Sequence, residues 1–217
     1  MAVSFDLFGT LVDVDRPTDP AAAVADELRA RGVAVPDDFG DAYRERHIDA
    51  PEGAEVPLPA HVSAALSSRG VRVSGNGVRR AVVAAFDPAV RTRSGAVAAV
   101  DAARDHGPVG VLSNCSVPEL VGRTFVRSAL SRDAFDRVVT SVGCGWRKPA
   151  AGAFETVADG LGVDPADLVH VGDTPATDGG IEALGGTFVD VADTPLPTFP
   201  AWLRERDTGG RGDAACR

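Results

Sequence analysis

Of the 22 basic side chains in this chain of 217 residues, Lys148 alone is a lysine. Where arginine supplies every other cation, the exception marks a position that arginine would not serve. Cysteine is almost as scarce. Cys115, Cys144 and Cys216 form an odd, widely spaced set that suits neither a disulfide framework nor a zinc site. No apolar run approaches the roughly 18 residues that a membrane span needs. Met1 to Asp6 lacks a positive leading region, and an acid interrupts its apolar stretch at once, so no secretory signal is expected and a cytoplasmic location is. A basic surface is missing as well: 31 acidic residues against 22 basic ones give a net charge of −9, which argues against a nucleic-acid partner held through phosphates. The acidic, lysine-poor composition is like that of proteins from salt-loaded cytoplasms, where net charge aids solubility. What is present is ordinary globular material, 44% apolar and 24% charged. That suffices for one sizeable core with a smaller appended unit and excludes disorder throughout.

Two rhythms divide the chain. Ala2 to Phe5 reads as a short buried strand, ended by Asp6 and the turn signal Gly9-Thr10. From about residue 18 to 90 the pattern is helical, over Pro20 to Leu28, Asp37 to Ile48, His61 to Ser68 and Val78 to Phe86, with proline and glycine as stops. Thereafter helices alternate with the apolar strands Val109 to Leu112, Val138 to Ser141, Leu168 to Val171 and Phe188 to Val191. Short apolar strands alternating with helices mean a parallel sheet covered on both faces. The expected fold is therefore α/β, a Rossmann-like doubly wound parallel sheet with an inserted α-helical unit. The divisions are residues 1–16 and 92–206 for the core, 17–91 for the insert and 207–217 for a glycine-rich flexible tail.

In such a sheet ligands bind outside the carboxyl ends of the strands. Those ends carry Asp6-Leu7-Phe8-Gly9-Thr10, Ser113-Asn114-Cys115, Trp146-Arg147-Lys148-Pro149 and Gly172-Asp173 through Asp178. A strand-end carboxylate at Asp6 is placed to act as a nucleophile. Attack on a phosphoryl group brings two negative species together, so a dication on Asp6 and Asp173, with Asp178 helping, is needed; hard oxygen ligands suit Mg²⁺. Lys148 offers a compact positive charge for a non-bridging oxygen, which a planar guanidinium would not reproduce. The Ser113 hydroxyl and the Asn114 backbone N–H are donors for the remaining oxygens. Both also suit the cap of a following helix, and the two uses are compatible.

The four segments, each after an expected strand and in this order, resemble the haloacid dehalogenase superfamily from Ala2 to about Ala192. The resemblance implies Asp6 as nucleophile, Ser113 and Lys148 as the phosphate-side pair, and Thr10 and Asn114 beside the phosphate. It further implies Mg²⁺ on Asp6, the Phe8 backbone carbonyl, Asp173 and, more remotely, Asp178, with the helical insert as a cap that selects a small phosphorylated substrate. Neither the substrate nor the oligomeric state is legible.

One position departs from the pattern. Phosphatases of this superfamily carry a second aspartate two residues after the nucleophile, as acid and base; here it is Phe8. His47 and Asp13 are the candidate substitutes, with Arg44, Glu45, Arg46 and Asp15 as neighbours of interest. An aromatic at this position is found in the metal-independent 2-haloacid dehalogenases, but those lack the acidic fourth segment that this chain retains. Three carboxylates clustered without a cation would repel one another. The phosphonate-cleaving branch needs a cap lysine, which this chain does not have. The expectation is a magnesium-dependent hydrolase of a small organic phosphate through an aspartyl-phosphate on Asp6. The alternatives are a 2-haloacid dehalogenase and a weakly active phosphometabolite binder. Cys115, Cys144 and His170 are expected as packing residues, and Trp146 as either a cleft wall or packing.

Overall fold

The computed structural model describes the backbone of residues 1–212. A parallel five-stranded sheet forms its centre, from β1 (Ala2–Phe5), β4 (Val109–Ser113), β5 (Arg137–Thr140), β6 (Leu168–Gly172) and β7 (Thr187–Asp190), in the order β5-β4-β1-β6-β7. Every residue of β1, β4 and β6 is buried. This is why their sequences are continuous apolar runs rather than alternating ones. Helices α5 (Ala96–Arg104) and α10 (Phe199–Gly212) pack against each other, and Phe5 meets Phe199 edge-on at 5.6 Å. A second cluster, around Phe154, Val157 and Leu161 of α8 (Ala151–Leu161), covers Leu112, Val139 and Leu168. The chain runs from β1 outward to β4 and β5, then returns to β6 and β7 on the other side. Strand β1 therefore sits at the switch point, where a crevice opens at the carboxyl edge.

Between β1 and β4 the chain leaves through β2 (Val12–Val14) and returns through β3 (Val90–Thr92), an antiparallel pair in the register Val12↔Thr92 and Val14↔Val90. The pairing brings entry and exit of the insert together on one two-stranded stalk. The helices α1 (Pro20–Ala30), α2 (Phe39–Arg44), α3 (Leu58–Ser68) and α4 (Gly77–Ala85) occupy the stretch between. The start of α1 follows from its sequence: Pro20 opens it, and the Asp19 carboxylate accepts from the Ala22 N–H at 3.0 Å. Among the described residues no helix is long and apolar enough to cross a membrane.

Two expected helices differ in extent, a pair of strands was not foreseen, and part of the expected tail has a helical backbone. The helix expected over 37–48 stops at Arg44, because the Glu45 backbone turns extended and its carboxylate is taken by Arg69 at 2.6 Å. The stalk strands β2 and β3, three residues each, are too short to show a period in sequence. The helix expected over 177–184 is a single α turn, α9 (Pro175–Asp178), followed by a 3-10 helix over Gly179–Leu184. Gly180 packs so closely that a Cβ there would lie 2.7 Å from Pro149, and two adjacent glycines weaken α-helix. Finally, the backbone of α10 stays helical through Gly212, since extending a formed helix is far easier than nucleating one. The rest of the expected tail, 213–217, lies outside the described residues.

Candidate active site

The carboxyl edge of β1 delivers Asp6, β4 ends in Ser113, and β6 is followed by Asp173. Asp6, Asp173 and Asp178 each present a carboxylate oxygen within 4.8 Å of the others. Lys148 reaches into this group from the loop before α8. Its Nζ donates to Asp6 Oδ1 at 2.8 Å and to the Leu112 carbonyl at 2.8 Å, and stands 2.6 Å from Asp178 Oδ1. Lys148 is only 3% exposed, so two carboxylates and a carbonyl replace the water its ammonium has lost. A flat guanidinium with its fixed fork would not fit among these three oxygens. That is the structural reason for a lysine at position 148.

Each acid sits in a different environment. Burial pushes the Asp6 carboxyl up to about 6, against the opposing pull of Lys148. Burial acts against Asp178 as well, but its bond to His170 and the Lys148 ammonium outweigh it and hold the group well below the ordinary carboxylate range. Both Asp178 oxygens are engaged: Oδ1 meets Lys148 and His170 Nε2 (3.2 Å), and Oδ2 accepts from the Thr174 N–H at 2.9 Å. Asp173 is exposed, and Thr10 Oγ1 donates to its Oδ1 at 3.1 Å. Two glycines admit these acids. Gly9, at φ +90°, would carry a Cβ only 2.4 Å from Asp173 Oδ2, and a Cβ on Gly172 would lie 2.3 Å from Asp178.

Asn114 ties two of the loops together. Its Nδ2 donates to the Lys148 carbonyl at 3.0 Å, and its Oδ1 accepts from the Lys148 N–H at 2.8 Å. Next to it, the Ser113 hydroxyl is buried and has no hydrogen-bond partner, alone in this among the buried side-chain polar atoms of the described residues. A buried, unpartnered hydroxyl costs free energy unless a ligand satisfies it.

Thus Asp6, Thr10, Ser113, Asn114, Lys148, Asp173 and Asp178 converge, although Asp6 and Asp178 are separated by most of the chain. The candidate substitute acids do not join them. His47 turns its ring into the insert, with Nε2 2.6 Å from the Ala42 carbonyl, and Asp13 faces Arg93 at 3.8 Å on the stalk. Arg44 pairs with Asp41 and Arg46 with Asp49, in the manner of a solvated surface. Of that group only Asp15 lines the cleft beside the site. Cys115 is buried, its thiol pushed up to about 11 by burial. Trp146 is 39% exposed and lies against Gly152.

Arg93 and Glu55 escaped sequence reasoning, and His170, expected as a packing residue, also takes part in the polar network. His170 is wholly buried: Nδ1 is 2.8 Å from Ser4 Oγ, and burial lowers the ring to about 4, so it is neutral when it meets Asp178. Arg93 donates to the Gly9 carbonyl and steadies the first loop. Glu55, with a side chain only 1% exposed, accepts from Ser141 Oγ and pairs with Arg147 at 3.1 Å. Its backbone N–H donates to the Gly145 carbonyl at 2.8 Å, and Arg147 N–H donates to Gly53 at 2.8 Å. A short antiparallel strap therefore sews the insert to the loop that carries Lys148. No sequence signal marks Arg93 or Glu55, because each works through a partner distant in the chain.

A cleft of about 480 Å³ opens between the insert and the sheet edge, with Phe8, Asn114 and Arg147 in its lining. It lies within the size range of small-molecule sites.

The fold has many solved counterparts. An L-2-haloacid dehalogenase from Xanthobacter autotrophicus is 20% identical, with a TM-score of 0.54 over 88% of this chain and 77% of that one. A predicted phosphoglycolate phosphatase from Haemophilus somnus 129pt is 15% identical, with a TM-score of 0.53 over 87% of this chain and 84% of that one. A HAD phosphatase from Thermococcus onnurineus is 21% identical, with a TM-score of 0.51 over 87% and 85%. At such identities the likeness speaks for the fold alone. No curated protein matches the chain. The family model for haloacid dehalogenase-like hydrolases matches residues 1–185, stalk, insert and all four strand-end segments included, and the chain belongs to that family of hydrolases.

Proposed function

We propose that the protein is a magnesium-dependent phosphatase of small organic phosphates, acting through an aspartyl-phosphate on Asp6. The observation that carries this reading is the meeting of three carboxylates with one buried lysine and an unpartnered serine hydroxyl. Three acids and one ammonium leave an excess of negative charge, which fits a hard dication and its oxygen preference. Asp6, the Phe8 carbonyl and Asp173 would hold Mg²⁺, with Asp178, whose oxygens are already engaged, behind them. The bound ion would neutralise these acids and draw charge from the transferring phosphoryl group.

The chain's own residues account for the remainder. Asp6 attacks phosphorus, and the P–O bond to the leaving group breaks with its electron pair on that oxygen. Lys148 and the Ser113 hydroxyl bind non-bridging oxygens, and Asp178 fixes Lys148 from behind. Water then opens the acyl phosphate, regenerating the Asp6 carboxylate and releasing phosphate, which takes up the water's proton. With Phe8 where an acid would stand, the leaving oxygen departs without a side-chain proton donor, which favours esters whose leaving group is stable as an anion.

Phosphate release should require Mg²⁺ and vanish in Asp6→Asn; robust turnover after chelation would count against the proposal. Phe8 favours one second reading, metal-independent hydrolysis of a 2-haloacid. Chloride release from 2-chloropropionate in the presence of a chelator would establish that reading instead.

A further inference from the structure

The cleft beside Asp6 has an unbalanced lining. Three of the four strand-end loops contribute to it, through Phe8, Asn114 and Arg147. Its wall is apolar, built from Phe8, Phe86 at the end of α4, and Val117. Four charged side chains reach it besides, and three are already matched. Arg147 is paired with Glu55, Asp87 accepts from Arg127 at 2.7 Å, and Asp15 lies 3.8 Å from Arg91. The fourth is Arg16, on the segment joining β2 to α1. Among the described residues it makes no hydrogen bond and no ion pair, and it lines the cleft together with Cys115.

We infer that this cleft takes the leaving group of the substrate as a flat apolar body bearing a second anionic group. The body lies on Phe8, Phe86 and Val117, and the anion is held by Arg16. The substrate class is then a phosphate ester of a ring-bearing acid rather than of a bare sugar or a short polar alcohol. This rests on the phosphatase reading for the position of the phosphoryl group at Asp6. Burying an aromatic face against such a wall is favourable in proportion to its area. A guanidinium with no protein partner is available for bidentate binding of a carboxylate.

The test uses the full chain with Mg²⁺ and two pairs of probes. Hydrolysis of phenyl phosphate is compared with that of 4-carboxyphenyl phosphate. Binding of benzylphosphonate is compared with that of 4-carboxybenzylphosphonate by calorimetry. The carboxylated member of each pair should be preferred by about 3- to 10-fold, the range between an exposed ion pair and a charge-assisted hydrogen bond. Arg16→Gln should bring both ratios close to one. Phe86→Ala should weaken both benzylphosphonates relative to methylphosphonate. Equal handling of the paired probes, or a preference that survives Arg16→Gln, would overturn the inference while leaving the phosphatase reading intact. If phosphonates bind with the expected preference but no ester is hydrolysed, the subsite stands and the catalytic reading falls.

Discussion

At the scale of single residues, Phe8 and Asp6 carry the sharpest tests of the proposed phosphatase. On that proposal Phe8 stands where an acid would protonate the leaving oxygen, and general acid help is worth roughly 10²–10⁴-fold in rate. Phe8→Asp should therefore raise turnover of alkyl phosphates far more than that of p-nitrophenyl phosphate, whose leaving group needs no proton. A plot of rate against leaving-group pKa, for both proteins, measures it; equal gains across the series would show that acid catalysis is not the limitation. Asp6 carries a pH signature. Its folded pKa of about 6 exceeds the ordinary 3.8, so without metal its contribution to stability is complete below pH 3.8 and is lost as the pH rises through 6. Asp178 has the opposite sign, stabilising above the ordinary carboxylate range and losing that contribution in acid. In chelator, Asp6→Asn should gain on the wild type between pH 4 and 7 by on the order of 2–3 kcal/mol. Urea unfolding at several pH values reads this directly, and a difference that stays constant with pH would refute it.

At the scale of elements, the insert is attached at two places, the β2–β3 stalk and the strap over Gly53 to Glu55. The strap lies beside the Lys148 loop, so it links the position of the insert to that of the Lys148 ammonium. Glu55→Ala leaves Ser141 Oγ without its acceptor and Arg147 without its counter-ion. The loss should be about 1–3 kcal/mol of stability, seen as a melting temperature several degrees lower. Substrate KM should rise as well, because the insert then covers the cleft less of the time. An unchanged KM alongside the lower melting temperature would make the strap a purely structural device. The closely packed glycines belong to the same scale. A Gly172→Ala side chain would meet Asp178 and disturb its contacts with Lys148 and His170, so turnover should fall even where the protein folds.

For the whole molecule, the decisive quantity is the charge brought together when the sheet assembles. Three acids from two strand ends are drawn to one point, and a single ammonium pairs with two of them, leaving an excess of negative charge. Mg²⁺ should raise the melting temperature in proportion to the logarithm of its concentration, as any ligand selective for the folded state does. In Asp173→Asn that rise should shrink by more than half, and a calorimetric scan with and without Mg²⁺ measures both. An equal rise in the two proteins would place the ion elsewhere.

The succession of strands along the chain, the helical insert and the acids at the strand ends were legible in the sequence; the spatial strand order was not. Each depends on local information: buried parallel strands are apolar throughout, and proline and glycine end helices. The four strand-end segments reveal Asp6, Ser113, Lys148, Asp173 and Asp178 because strand polarity alone sends them to one edge. Tertiary structure decided what those groups meet. It turned His47 and Asp13 away from the cleft, set a neutral His170 behind Asp178, stitched Glu55 to the Lys148 loop, and left Arg16 facing an apolar wall without a partner. Pairings such as Asp13 with Arg93 and Glu55 with Arg147 depend on distances between segments far apart in the chain, and no pattern of neighbouring residues encodes a distance of that kind.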